Sequence, residues 1–240
     1  MACQKKALLQ EFLYHTSFNI LSMIGLSVYI LADTYFISSG VGTTGLTALN
    51  LALPVYSLVN GIGLMLGIGG AARFIVSRTM HRREASDTAF STAVAAGLAI
   101  GIALALAGIF FGDKIAVLLG DDTVSFDDTA VYLKVILIFA PMFILNNVFS
   151  AFVKNGGAPR LAMAGMLSGS FFNIVFDYVL VFPCHLGMFG AVLATSFSPG
   201  VGISMLSVLS VRFFRRRCNT VLIMFFSPSK KPCNPRCSPS

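Results

Sequence analysis

The chain has 240 residues, of which 56% are hydrophobic and 11% are charged, and its mean hydropathy is +0.82. Soluble domains carry about 25% charged residues, so this composition excludes an ordinary soluble protein and indicates an integral membrane protein. A net charge of +7 would suggest nucleic-acid binding in a soluble chain, but basic cytoplasmic loops explain it in a membrane protein.

Six apolar segments approach the roughly 20 residues that a membrane-spanning helix needs. None of them alternates with the period of two that is typical of membrane strands. The pattern predicts an all-α bundle of six transmembrane helices within residues 1–211, followed by a basic, disordered tail over 212–240 that is rich in Pro, Ser and Lys. The helices are predicted near 12–38, 46–72, 88–111, 129–153, 160–182 and 188–211.

The connections between these segments alternate in charge. Basic connections are predicted to lie in the cytoplasm, so the alternation places both termini there and makes the chain a multi-pass protein of the plasma membrane. The basic stretches are 73–83, 154–160 and 212–217; the acidic one is 112–128, and 39–45 and 183–187 carry no Lys, Arg, Asp or Glu.

Several polar side chains lie inside the apolar segments. Asn173 and Asp177 are four residues apart, so they share one face of the fifth predicted helix. A charged residue at the centre of a membrane helix costs roughly 2.5–3.5 kcal/mol, so it indicates a functional site by default. At 1.5 Å per residue, Asp33, Tyr132, Asp177 and Thr195 fall in one layer of the outer half, on four different helices.

Each of these residues also has a structural interpretation. Asp33 could be an interfacial residue near the end of its helix, and Asn173 with Asp177 could be a polar contact between helices. Thr195 could bond to its own backbone, and Tyr132 could belong to the aromatic belt at the membrane surface.

Other kinds of site are not indicated. The five cysteines are scattered, and the closest pair, in CNPRC, has three intervening residues and no nearby His, so neither a metal site nor a disulfide framework is expected. The glycines of GIGLMLGIGG lack the spacing of a nucleotide loop and favour helix packing. We therefore expect no cofactor, no metal and no nucleic-acid partner.

Three stretches together resemble the multidrug and toxic compound extrusion (MATE) family of cation antiporters. They are ADTYFISSGVGTTGLTALNLALPVYSLVNGIGLMLGIGGAARF, FSAFVKNGGAPRLAM, and NIVFDYVLVF followed by GMFGAVLAT. The resemblance spans about residues 8–211 and implies one amino-terminal lobe of a transporter in which two six-helix lobes face a central cleft. It also implies that the cation site of this lobe, with Tyr132 as a weaker match, comprises Asp33, Asn173, Asp177 and Thr195.

The chain departs from the family pattern in three places. A second lobe is missing, so the resemblance implies a truncated half. Residues 12–35 contain no proline, whereas many members have one in the first helix. Pro199-Gly200 stands where the sixth helix often continues to a Gln, and Pro199 is expected to kink this helix.

The predicted function is a lobe of a proton- or sodium-coupled multidrug antiporter. Basic residues are nearly absent within the predicted spans, apart from Lys134 near an outer end, so amphipathic organic cations are the expected substrates. Alternatives are a flippase for lipid-linked precursors, a non-transporting membrane fragment or partner subunit, and a homodimer that rebuilds the cleft. An aspartyl protease would resemble its class in Tyr-Asp and Gly-x-Gly-Asp, but here the pairs are Ala-Asp and Phe-Asp, so no enzyme is expected.

Overall fold

The computed structural model describes residues 2–80, 82–119 and 126–215, and within these ranges it is helical without strands. The seven described helices are α1 (Ala2–Gly40), α2 (Thr43–Thr79), α3 (Arg83–Leu118), α4 (Phe126–Ile138), α5 (Ala140–Asn155), α6 (Pro159–Val181) and α7 (Gly187–Arg215).

Five of these helices are long and apolar enough to cross a membrane, and the bent pair of α4 and α5 passes the same test when taken together, which gives up to six spans. This confirms the predicted all-α architecture of one six-span lobe in a multi-pass membrane protein. The prediction of one continuous helix over 129–153 is wrong, because α4 and α5 are bent by 50° at Phe139. Pro141, in the first turn of α5, has no N–H to donate to the carbonyl of Leu137, and its ring crowds that carbonyl.

Proline does not end the other spans. Pro54 lies inside α2 and Pro199 inside α7, and both helices continue on either side. The last described helix reaches Arg215, so residues 212–215 of the predicted tail extend it. The remainder of that tail, residues 216–240, lies outside the described residues.

Small residues allow the helices to approach closely. A Cβ atom on Gly101 of α3 would lie 2.6 Å from the Cα atom of Pro141, so α3 crosses directly over the α4–α5 break. A Cβ on Gly67 of α2 would lie 3.0 Å from the Cβ of Ala151 on α5. Such contacts between backbones are typical of membrane helices, where packing replaces the hydrophobic effect.

The interior contains two packed clusters of apolar side chains. The first is built around Ile37, Leu133 and Val192, and the second around Ile144 and Val148. Large apolar residues remain on the surface, as expected where lipid rather than water covers the protein. Examples are Phe110 at 73%, Leu31 at 70% and Met23 at 67% exposure.

The two ends of the bundle differ in charge. Arg78, Lys154 and Arg160 lie where α2 and α5 end and α6 begins, and we call this the basic end. The guanidinium of Arg160 lies 5.4 Å from the ring centroid of Phe18, which joins α6 to the first half of α1. The opposite end, called the acidic end, includes Asp113 and Asp127.

Candidate cation site

Two buried carboxyl groups meet between α1 and α6. Asp33 is 7% exposed and Asp177 is fully buried, and their side chains lie within hydrogen-bonding reach of each other. The two helices run in parallel here, since Phe36 packs edge-on against Phe182 one turn nearer the acidic end. An ionised carboxylate can only accept hydrogen bonds, so the two groups can bond to each other only when one of them holds a proton.

Asn173 connects this pair to α7. It lies one turn before Asp177 on α6, and its Nδ2 atom can donate to Thr195 Oγ1 at 3.2 Å. With the amide turned by half a rotation, Nδ2 lies 3.0 Å from Asp177 Oδ2, while Oδ1 accepts from Thr195 Oγ1 and from the Thr195 backbone N–H, both at 3.2 Å. The second orientation satisfies both neighbours, because the carboxylate needs a donor. Asn173 is fully buried and Thr195 is 5% exposed.

Oxygen atoms at this site lack partners. Asp33 Oδ1 and Asp177 Oδ1 are buried and meet no donor in the described part of the chain. A buried acceptor without a donor costs about 1–3 kcal/mol, and more when it is charged. A proton on one of the carboxyl groups, or a hard cation with oxygen ligands, would supply a partner to such atoms. Among the described residues, no group of three or more His, Cys, Asp or Glu side chains forms a metal cluster.

Tyr132 lies beside the two carboxyl groups rather than at the lipid surface. It is 4% exposed, packs in the first apolar cluster, and lies close enough to Asp33 and Asp177 to interact electrostatically. A belt aromatic would instead be exposed where the helix meets the membrane surface. The burial of Asp33 likewise disagrees with an interfacial position.

All five side chains predicted for the site therefore lie in the interior of one lobe, from α1, α4, α6 and α7. The structure adds a pair that the sequence reasoning missed. The hydroxyl groups of Tyr29 on α1 and Tyr56 on α2 are 3.1 Å apart, and both lie near Asp33. The available signal was the position of Tyr29, which precedes Asp33 by one helical turn and shares its face.

The family model MatE matches residues 19–179, more than half of the chain. The chain belongs to this family. The match confirms the resemblance drawn from the sequence stretches, and the two carboxyl groups at Asp33 and Asp177 lie inside the matched range.

Curated relatives of this MATE chain are exporters. It is 33% identical over 221 residues to the multidrug export protein MepA of Staphylococcus saprophyticus, covering 89% of this chain and 48% of the relative. It is 34% identical over 186 residues to MepA of Staphylococcus aureus strain MRSA252, covering 75% of this chain and 41% of that relative. The chain thus spans about half the length of the curated relatives it matches. A family of transporters is consistent with the expectation of no enzyme activity.

Solved structures share the fold. A crystal structure of a MATE protein in a straight conformation superposes with a TM-score of 0.75 at 25% identity, over 90% of this chain and 48% of the other. The half-length coverage agrees with a single lobe, as the resemblance implied.

Proposed function

We propose that this chain is one lobe of a cation-coupled multidrug antiporter, in which Asp33, Asn173, Asp177 and Thr195 bind the coupling proton or sodium ion and Tyr132 packs beside them. The observation that carries the proposal is the pair of buried carboxyl groups, which come from two different helices and each have one oxygen atom without a hydrogen-bond partner. Binding one cation there favours the arrangement in which α1 and α6 stay together, and loss of the cation favours their separation. Binding can thereby bias a conformational equilibrium.

The energy available from such coupling is adequate for export. One charge crossing a potential of 100 mV releases about 2.3 kcal/mol, which supports roughly a fiftyfold concentration gradient. Alternating access in transporters built from repeats moves one half against the other around a site near the middle of the membrane. In this proposal the second half comes from a second lobe or from a second copy of the chain.

Amphipathic organic cations are the proposed substrates. Lys134 is paired with Asp113 at 2.7 Å, and the two side chains are 38% and 62% exposed, so Lys134 does not offer an unpaired positive charge to an anionic lipid precursor. A shallow, mostly apolar groove of about 570 Å³ follows one face of α1 from Thr16 to Leu31. The proposed orientation places both termini on the cytoplasmic side of the plasma membrane. It rests on the positive charge of the basic end, because basic connections favour the cytoplasm.

The test is ethidium efflux from a strain that lacks its own pumps. The protein is a chimera in which this chain replaces the amino-terminal half of the S. saprophyticus relative. Asp177→Asn should reduce efflux at least tenfold with unchanged amounts in the membrane. The matched control is Asp113→Asn, an exposed aspartate 62% accessible at its side chain, which should stay within twofold of wild type. Wild-type efflux from Asp177→Asn would overturn the proposal.

Two further arms separate the alternatives. Efflux is measured with sodium replaced by choline and, separately, with the proton gradient collapsed. The treatment that stops efflux identifies the coupling ion. The chain expressed alone, with crosslinking to count subunits, tests the remaining architectures. If the chain expressed alone exports ethidium and crosslinks as a homodimer, it is a half-size transporter. If it exports nothing alone but is active in the chimera, it is a lobe that needs a partner.

A further inference from the structure

A second set of polar side chains lies between the cation site and the basic end of the lobe. Asn60 on α2 and Asn147 on α5 are hydrogen-bonded to each other, with Asn147 Nδ2 donating to Asn60 Oδ1 at 2.9 Å. Asn60 Nδ2 donates to the backbone carbonyl of Tyr56 at 2.9 Å. The hydroxyl of Tyr56 meets that of Tyr29 at 3.1 Å. These four residues, which we call the polar strip, are linked by three hydrogen bonds, one of which is accepted by the backbone carbonyl of Tyr56 rather than by its side chain.

The polar strip runs from the cation site towards the basic end. Tyr29 lies one turn, about 6 Å, before Asp33 on α1. At the other extreme, Asn147 lies eight residues, about 12 Å, before the end of α5 at Asn155. Tyr56 sits between the two apolar clusters and contacts both of them. The strip therefore occupies the middle of the depth between the carboxyl pair and the basic end, and it stops about 12 Å before the end of α5.

The four side chains are half-buried rather than fully buried. Each of these groups has a hydrogen-bond partner within the lobe, so an indication of water or of an ion comes only from acceptor atoms that remain open. Both hydrogen bonds of Asn147 in the described part of the chain use Nδ2, which leaves its Oδ1 atom as an acceptor for water or for a cation.

Two other asparagines show what an ordinary membrane amide does in this lobe. Asn50 Nδ2 donates to Leu46 O and Asn155 Nδ2 donates to Ala151 O, each at 2.9 Å and each within its own helix. Asn60 and Asn147 make the same kind of bond to their own helices, but in addition they bond across α2 and α5. The interhelical bond is what distinguishes the strip.

We propose that Tyr29, Tyr56, Asn60 and Asn147 line a hydrated path along which the coupling cation moves between the carboxyl pair and the basic end of the lobe. The inference rests on the proposed function, because it needs a cation at Asp33 and Asp177. Neutral oxygen atoms suit such a path: they replace part of the hydration shell but bind more weakly than carboxylates, so the ion can leave again.

The test measures water access directly on the full chain in membrane vesicles. In a background without the native cysteines, Asn60→Cys and Asn147→Cys are treated with a small water-soluble thiol reagent, which reacts with the ionised thiolate. Leu58→Cys is the control, since Leu58 lies two residues from Asn60 on the opposite face of α2 and is 56% exposed. We expect cysteines at 60 and 147 to react at least tenfold faster than the cysteine at 58.

Equal, slow reaction at all three positions would overturn the path and leave the asparagine pair as a contact between helices. If Asn60→Cys does not insert, Asn147→Cys alone decides the comparison. In the chimera, Asn60→Leu combined with Asn147→Leu should lower efflux at least fivefold, while Asn50→Leu with Asn155→Leu stays within twofold. Loss of efflux in Asp177→Asn without any effect of the strip variants would refute the path and leave the proposed function intact.

Discussion

Asp33 and Asp177 reach each other across the α1–α6 contact, although 144 positions separate them in the sequence. Each keeps an Oδ1 atom that meets no donor, and Asn173, with its amide turned, donates from Nδ2 to the other oxygen of Asp177, Oδ2. Two buried carboxylates cannot both remain charged at low cost, because like charges in a medium of low dielectric repel strongly. The pair is therefore expected to hold one proton or one cation in the arrangement described here.

The two aspartates are predicted to act as a unit. In the chimera, Asp33→Asn and Asp177→Asn should each reduce coupled efflux at least tenfold, and the double variant should lose little more than either single one. Groups that act together give strongly non-additive losses. The measurement is a double-mutant cycle on initial efflux rates. Additive losses would mean that the two carboxyl groups work at separate sites.

Asn173→Leu is predicted to weaken cation binding. The change removes the donor that lies 3.0 Å from Asp177 Oδ2 and leaves that carboxylate more exposed to repulsion from Asp33. A charge-assisted hydrogen bond contributes about 1.5–3 kcal/mol, which corresponds to at least a tenfold loss of affinity. Titration calorimetry of the purified chain with sodium, or with protons, measures it. Asn155→Leu, which removes a bond within α5 alone, is the control and should bind as wild type.

The topology prediction concerns the native cysteines. Cys184 is exposed in the α6–α7 connection, near the acidic end, and Cys218 follows the basic stretch 212–217. In intact cells a membrane-impermeant thiol reagent should label a variant with only Cys184, and should label one with only Cys218 after the membrane is opened. Strong labelling of Cys218 without labelling of Cys184 in intact cells would reverse the orientation.

The close contact between α3 and the α4–α5 break leads to a prediction about the stability of the lobe. A Cβ on Gly101 would meet the Cα of Pro141 at 2.6 Å, and backbone cannot move aside as a flexible side chain would. Gly101→Ala should therefore destabilise the lobe by about 1–3 kcal/mol. Gly69→Ala is the matched control, because nothing lies within 4 Å of its Cβ and alanine favours the helix by about 1 kcal/mol. Thermal unfolding in detergent should show a lower midpoint for Gly101→Ala only.

Much of this architecture follows from composition and pattern. The apolar runs are long enough to cross a bilayer, and membrane helices must satisfy their backbone hydrogen bonds internally, so the number of spans can be read along the chain. The same constraint explains why Asp33, Asn173 and Asp177 could be singled out: charged and amide groups inside such runs are costly and therefore stand out. Whether they bind a cation stays a prediction.

The sequence alone determined that this is a membrane chain of six apolar spans with polar residues inside several of them, because hydropathy and helical period are local properties. Tertiary structure decided which side chains meet, since that depends on how each helix is rotated and on how closely its small residues let a neighbour approach. The contacts between Asp33 and Asp177, between Tyr29 and Tyr56, and between Asn60 and Asn147 all join different helices. The bend at Phe139 also became visible only in the tertiary structure, where α3 passes close to the break through the contact of Gly101 with Pro141.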